Sequence, residues 1–158
     1  MKKLIPFLIS GVLVVGAVGC QSTSKTSTDA PNNPNTNESP KASDANSTKA
    51  TQDDAQSQIR KNQLNNDIRA REQRNNAITG GSATNRNEGD LQSEVRSKLE
   101  ANIPGSKLAI QAKNGSVVVS GTVPNQADKG KVQSLATQIK GVKSVVDKTT
   151  VAPAKNKS

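Results

Sequence analysis

Lys107-Leu108-Ala109-Ile110-Gln111-Ala112-Lys113-Asn114-Gly115-Ser116-Val117-Val118-Val119-Ser120-Gly121 is the stretch that decides the fold. Leu108, Ile110 and Ala112 alternate with polar or small residues, the period of a strand with one buried face. Asn114-Gly115 is the strongest short hairpin signal, because a type I′ turn needs two residues that accept positive φ. With those two as the loop, Lys113 pairs with Ser116, Ala112 with Val117, Ile110 with Val119 and Leu108 with Gly121. The apolar partners then share one face, so turn chemistry and binary pattern select the same register.

A helix is expected on each side of the hairpin. Before it, Leu91, Val95, Leu99 and Ile103 recur every fourth residue, with Asp90 as the expected N-cap. Glu94 and Lys98 form an i,i+4 pair, and Pro104-Gly105 stops the helix. After the hairpin, Asn125 caps a second helix, with Asp128 in its first turn. Val132, Leu135, Ala136 and Ile139 make its buried stripe, Lys140 occupies its last turn and Gly141 ends it. Val142 to Val151 reads as a third strand, with Val145 and Val151 inward. The expected fold is a small α+β domain of order α-β-β-α-β, with two helices on one face of a three-stranded mixed sheet. A core of short aliphatic residues leaves no room for a deep pocket.

Composition narrows the chemistry. The chain has 158 residues, no His, Trp or Tyr, and Met1, Phe7 and Cys20 as its single Met, Phe and Cys. Without His there is no Ser-His-Asp arrangement and no imidazole base near neutral pH. One Cys without His makes no ordinary zinc, haem or iron–sulfur site, so no metal or cofactor is expected. The missing aromatics remove base and sugar stacking, which disfavours nucleic acid. No small-molecule substrate and no catalytic residues are expected. The formal charge of +9 is concentrated in residues 90–158, with eleven basic and five acidic residues, against nine and eight in 21–89. That excess suggests an anionic surface as partner.

The N-terminal part carries an address. Met1-Lys2-Lys3 precedes an apolar run from Leu4 to Val18, about 22 Å as helix and short of a ~30 Å hydrocarbon core. This is the pattern of a signal peptide, assigned to residues 1–19. Ala17-Val18-Gly19-Cys20 resembles a bacterial lipobox, with Ala17 where Leu is usual. The resemblance implies acylation of Cys20. Gln21 rather than Asp after the Cys implies the outer membrane, with the chain facing the periplasm. Residues 20–52, rich in Ser, Thr, Asn, Asp, Lys and Pro, are expected to be a disordered linker. Ala55, Ile59, Leu64 and Ile68 give an imperfect stripe, so a weak helix is expected over 53–79, followed by a linker over 80–89. As coil, 21–89 would reach about 45 Å. Residues 152–158 read as a polar tail.

The segment Asp90 to Val151 resembles the BON domain, named for bacterial osmotically induced and nodulation proteins. The resemblance rests on Asp90-Leu91, Leu108 with Ile110, the run Asn114 to Val123, and Ala127, Leu135 and Ala136. Gly141-Val142-Lys143-Ser144-Val145 and Val151 complete it. Asn114, Gly115, Gly121 and Gly141 are its turn-defining residues. Asp147 stands where Asn is frequent and Thr149 where an aliphatic residue is frequent. The family implies a non-catalytic module that attaches to phospholipid surfaces and protects the envelope under stress. Lys129 and Lys140, eleven residues apart on one helix flank, and Lys143 just beyond are the candidate contacts for anionic head groups. Val118 on the outer face of the hairpin is an apolar candidate. The alternative is a periplasmic module that holds an envelope protein by pairing at the sheet edge.

Overall fold

The computed structural model describes residues 23–36, 53–54 and 57–152. Residues 1–19, Cys20 and residues 153–158 of the tail lie outside the described residues, as does the greater part of the linker. The element order is β1 (Ser24–Lys25), α1 (Gln58–Thr79), α2 (Glu88–Asn102), β2 (Lys107–Lys113), β3 (Ser116–Val123), α3 (Gln126–Thr137) and β4 (Ser144–Val151).

The β2–β3 hairpin has the register read from the sequence, from Leu108 opposite Gly121 to Lys113 opposite Ser116. Asn114 and Gly115 take φ of 53° and 85°, as the turn requires. β4 returns through α3 to lie parallel to β3, with Val117 opposite Val145 and Val123 opposite Val151. Leu108, Ile110, Val117, Val119 and Val123 on one sheet face bury against Leu91, Val95, Leu99 and Ile103 of α2 and Val132, Ala136 and Ile139. At ~1.5–3 kcal/mol for each fully buried aliphatic side chain, this layer is the main source of stability.

The sheet has four strands rather than three. Ser24 and Lys25 pair antiparallel with Ile110 and Ala109, and the Thr26 N–H donates to the Leu108 carbonyl at 2.9 Å. Beyond the strand, Ala30, Pro31 and Pro34 are buried, and Asp29 pairs with Lys107 at 3.4 Å. Gln92 of α2 ties the strap down: its Nε2 donates to Ser24 Oγ at 3.2 Å, and its Oε1 accepts from the Ala112 N–H at 3.0 Å. Edge pairing is made by backbone groups, so a stretch of Ser, Thr and Lys forms it without an apolar pattern.

α1 is a full helix of 22 residues packed on α2. Ser57 caps it by accepting from the Arg60 N–H, and Gly80 ends it in the left-handed conformation. Leu64 is buried and Ile68 half-buried, whereas Ile59 and Ile78 face solvent. With so little apolar contact, the interface is completed by charge. Arg60 pairs with Glu100, Arg71 and Arg74 pair with Asp90 at 2.7 and 3.3 Å, and Asp67 lies 3.9 Å from Arg96.

Three local expectations change. The N-cap of α2 is Asn87, whose Oδ1 accepts from the Asp90 N–H at 3.1 Å, and this frees the Asp90 carboxylate for the α1 arginines. α3 stops at Thr137, so Lys140 lies outside the helix. There Thr137 Oγ1 donates to the carbonyls of Gln133 and Ser134, competing with the helix ladder, and the Lys140 carbonyl is taken by Arg86 at 2.7 Å. On β4 the buried position is Thr149 rather than Val151, which is exposed at the strand end, while Val145 is half-buried.

Candidate functional site

Several chain ends meet at one pole of the domain. β2 runs into the Asn114-Gly115 turn there, β3 and β4 start there, α2 begins there, and α1 and α3 end there. Close approach explains the glycines. A Cβ on Gly115 would stand 2.9 Å from the Gly141 carbonyl oxygen and 2.9 Å from Lys143 Cδ. A Cβ on Gly141, at φ 97°, would stand 2.5 Å from Arg86 Cδ. The Lys143 N–H donates to the Gly115 carbonyl at 2.8 Å, so the Lys143 stem lies on the turn itself. Gly121, at φ 116°, sits at the far end of the hairpin, where its α-carbon faces the Lys107 carbonyl.

The structure brings Lys140 and Lys143 together at this pole and adds Lys113, the last residue of β2. All three are exposed, and none makes an ion pair among the described residues. Lys129 is not with them. It lies in the first turn of α3, at the opposite end of a helix of twelve residues, about 18 Å long. The shared flank expected for Lys129 and Lys140 fails because the helix ends before Lys140. Ile78, 75% exposed in the last turn of α1, lies at the same pole as Lys140, whose Nζ approaches Gly81. Val118 is half-buried on the outer sheet face.

Beneath the lysines sits a buried ionic cluster. Arg86, with its side chain only 2% exposed, donates to Glu72 at 2.9 Å, to the Lys140 carbonyl at 2.7 Å and to both oxygens of Glu94 at 2.9 and 3.2 Å. Glu94 also accepts from Asn75 at 3.5 Å. Burial pushes the Glu94 carboxyl up to about 7, against the pull of Arg86 and with added push from Glu72 and Asp90. The cluster thus joins α1, α2 and the turn after α3, and holds the lysine-bearing loop in place. A shallow cleft of about 120 Å³ opens beside it, with Asn85, Arg86, Glu88 and Lys143 on its walls. Glu94 departs from the expected pairing with Lys98. Its spacing of three from Leu91 puts it on the buried face, a signal available in the sequence; Arg86 carries none.

The order of elements from α2 to β4, with the glycine-backed turn, defines the unit that recurs elsewhere. Residues 87–153 match the BON domain family model. The BON domain is a non-catalytic binding domain associated with phospholipid membranes and with osmotic-stress proteins. Its match begins at the α2 N-cap, leaving β1 and α1 outside. No relative of the chain is found among curated proteins. Among the described residues no helix is long and apolar enough to cross a membrane, and no group of acidic, His or Cys side chains is placed to hold a metal ion.

The free edge of the matched segment is β4. In a parallel ladder alternate N–H groups point to each side, and the Ala152 N–H donates to the Val123 carbonyl. The odd-numbered N–H groups of β4 therefore face outward. Asp147 intercepts one of them, its Oδ1 accepting from the Thr149 N–H at 2.8 Å. A charged side chain folded onto its own strand in this way blunts an edge against pairing.

Proposed function

We propose that the protein is a bacterial envelope lipoprotein, acylated at Cys20 and facing the periplasm from the outer membrane. Its BON domain attaches to anionic phospholipid head groups and serves envelope integrity under osmotic stress. The observation that carries this reading is the pole where Lys113, Lys140 and Lys143 stand exposed without acidic partners among the described residues. Near an anionic leaflet each lysine is worth ~1 kcal/mol, so the contact is weak and salt-sensitive by itself. Such binding suits a protein whose residence on the membrane is already secured by acyl chains. The blunted β4 edge weighs against holding an envelope protein by strand addition.

The test uses the chain from residue 20 onward with Cys20→Ser, cosedimented with neutral and anionic vesicles across a salt series. Binding to anionic vesicles alone is expected, lost as salt rises. It weakens with Lys113→Ala and Lys143→Ala together, and Lys129→Ala leaves it unchanged. No binding to anionic vesicles at low salt sinks the reading.

A further inference from the structure

We infer that β1 is a strap that fixes the orientation of the domain on its membrane, with the β2–β3 turn pole facing the head groups. The inference rests on acylation of Cys20. β1 is antiparallel to β2, with Ser24 opposite Ile110 and Lys25 opposite Ala109. From Ser24 back to Thr23, the described chain therefore points along β2 towards Lys113 and the turn. Only Gln21, Ser22 and Thr23 separate Cys20 from Ser24. Four Cα–Cα steps of extended chain span at most about 14 Å. Lys113 lies three residues beyond Ile110, about 10 Å further along the strand. That reach includes the pole that carries Lys113, Lys140, Lys143 and the exposed Ile78, and the direction of β1 at Ser24 favours it over the Lys107 end as the place where the acyl chains enter the bilayer.

The strap is anchored well beyond its two paired residues. Thr26 Oγ1 donates to the Ser106 carbonyl at 3.0 Å and accepts from the Leu108 N–H at 2.8 Å. Ala30, Pro31 and Pro34 are buried, and Gln92 holds Ser24 from the helix layer. Residues 37–56 then connect two docked segments, β1 and α1, and do not lie between the anchor and the domain. The domain does not swing on a long leash. It lies on the surface in one pose, with Lys129 turned to the periplasm.

Spin labels on the full-length acylated protein test this, because acylated Cys20 carries no reactive thiol. Lys113→Cys and Lys129→Cys are labelled singly and reconstituted in neutral phosphatidylcholine vesicles, where lysine–phosphate attraction is removed. The label at 113 is expected in the head-group layer, shielded from a water-soluble relaxation agent several-fold more than the label at 129. A spacer of ten Gly/Ser residues inserted after Ser22 is expected to abolish the difference. Equal shielding at both sites before the insertion overturns the inference, as does an intact mass without acyl chains. Loss of anionic-vesicle binding by the Cys20→Ser chain, with the shielding difference retained, overturns the head-group reading and leaves the orientation standing.

Discussion

Arg86 grips Glu94 through both carboxylate oxygens, at 2.9 and 3.2 Å, with neither side chain reaching water. The pair stitches a loop outside the matched BON segment to the middle of its first helix. Because burial raises the Glu94 carboxyl from 4.5 to about 7, ionising it costs more in the folded chain than in the unfolded one. Its contribution to stability is whole below about 4.5 and is lost as pH rises through about 7. The loss amounts to roughly 3 kcal/mol, since each pH unit between those two values is worth about 1.36 kcal/mol. Urea unfolding at pH 5 and pH 8 measures it, with Glu94→Gln as the reference that removes this slope. A pH dependence identical in both proteins contradicts the assignment.

The two glycines of the C-terminal half that differ most in surroundings predict opposite signs. Gly130, inside α3, has nothing within 4 Å of an added Cβ. Gly130→Ala is expected to stabilise by about 0.5–1 kcal/mol through helix propensity. At Gly121 a Cβ would lie against the Lys107 carbonyl oxygen, well inside van der Waals contact. Gly121→Ala is expected to cost more than about 2 kcal/mol, because strand backbone must move. Thermal unfolding of the two variants beside the parent protein checks both.

Leu64 reports whether α1 is part of the folded unit. It is 1% exposed against α2, so Leu64→Ala should cost about 2–3 kcal/mol and shift the single unfolding transition. A helix free in solvent would lose almost nothing. Ile59→Ala, on the exposed side of the same helix, is the control.

Asp147 guards the outer edge of β4. Asp147→Ala releases the Thr149 N–H at an edge strand that also exposes Val146 and Val151. Analytical ultracentrifugation should show self-association of the variant at concentrations where the parent chain is monomeric. An unchanged sedimentation profile at the highest soluble concentration would show that Asp147 does not guard the edge.

These residues also mark where the sequence is readable and where it is not. The hairpin is legible because Asn114-Gly115 and the alternation of Leu108, Ile110, Val117 and Val119 independently demand one register. The α2 face is legible from its period, but its cap is not, since Asp90 and Asn87 are both good caps and tertiary arginines decide between them. α1 reads as marginal because its partners are acids. Asp90, Glu94 and Glu100 look like solvated charge in a one-dimensional pattern and become buried once arginines reach Asp90 and Glu100 from α1 and Arg86 reaches Glu94 from the loop between the helices. β1 has no apolar signature, because its attachment is made by peptide groups and by Gln92. Of the candidate lysines, Lys143 lies beyond the helix as its sequence position after Gly141 implies. Lys140 departs from its expected last turn, since a contact from Arg86 and the Thr137 hydroxyl set where α3 ends.

The short chain between Cys20 and Ser24 changes what affinity the lysine pole needs. With Cys20 acylated as proposed, a tether of three intervening residues would present that pole to its own leaflet at a very high effective concentration, so that each head-group contact would become an intramolecular event. A few lysines that hold a free protein only weakly and at low salt then suffice to sense whether the leaflet beneath them is anionic. Lipid composition would be read as a change of contact, with no change in how much protein is bound.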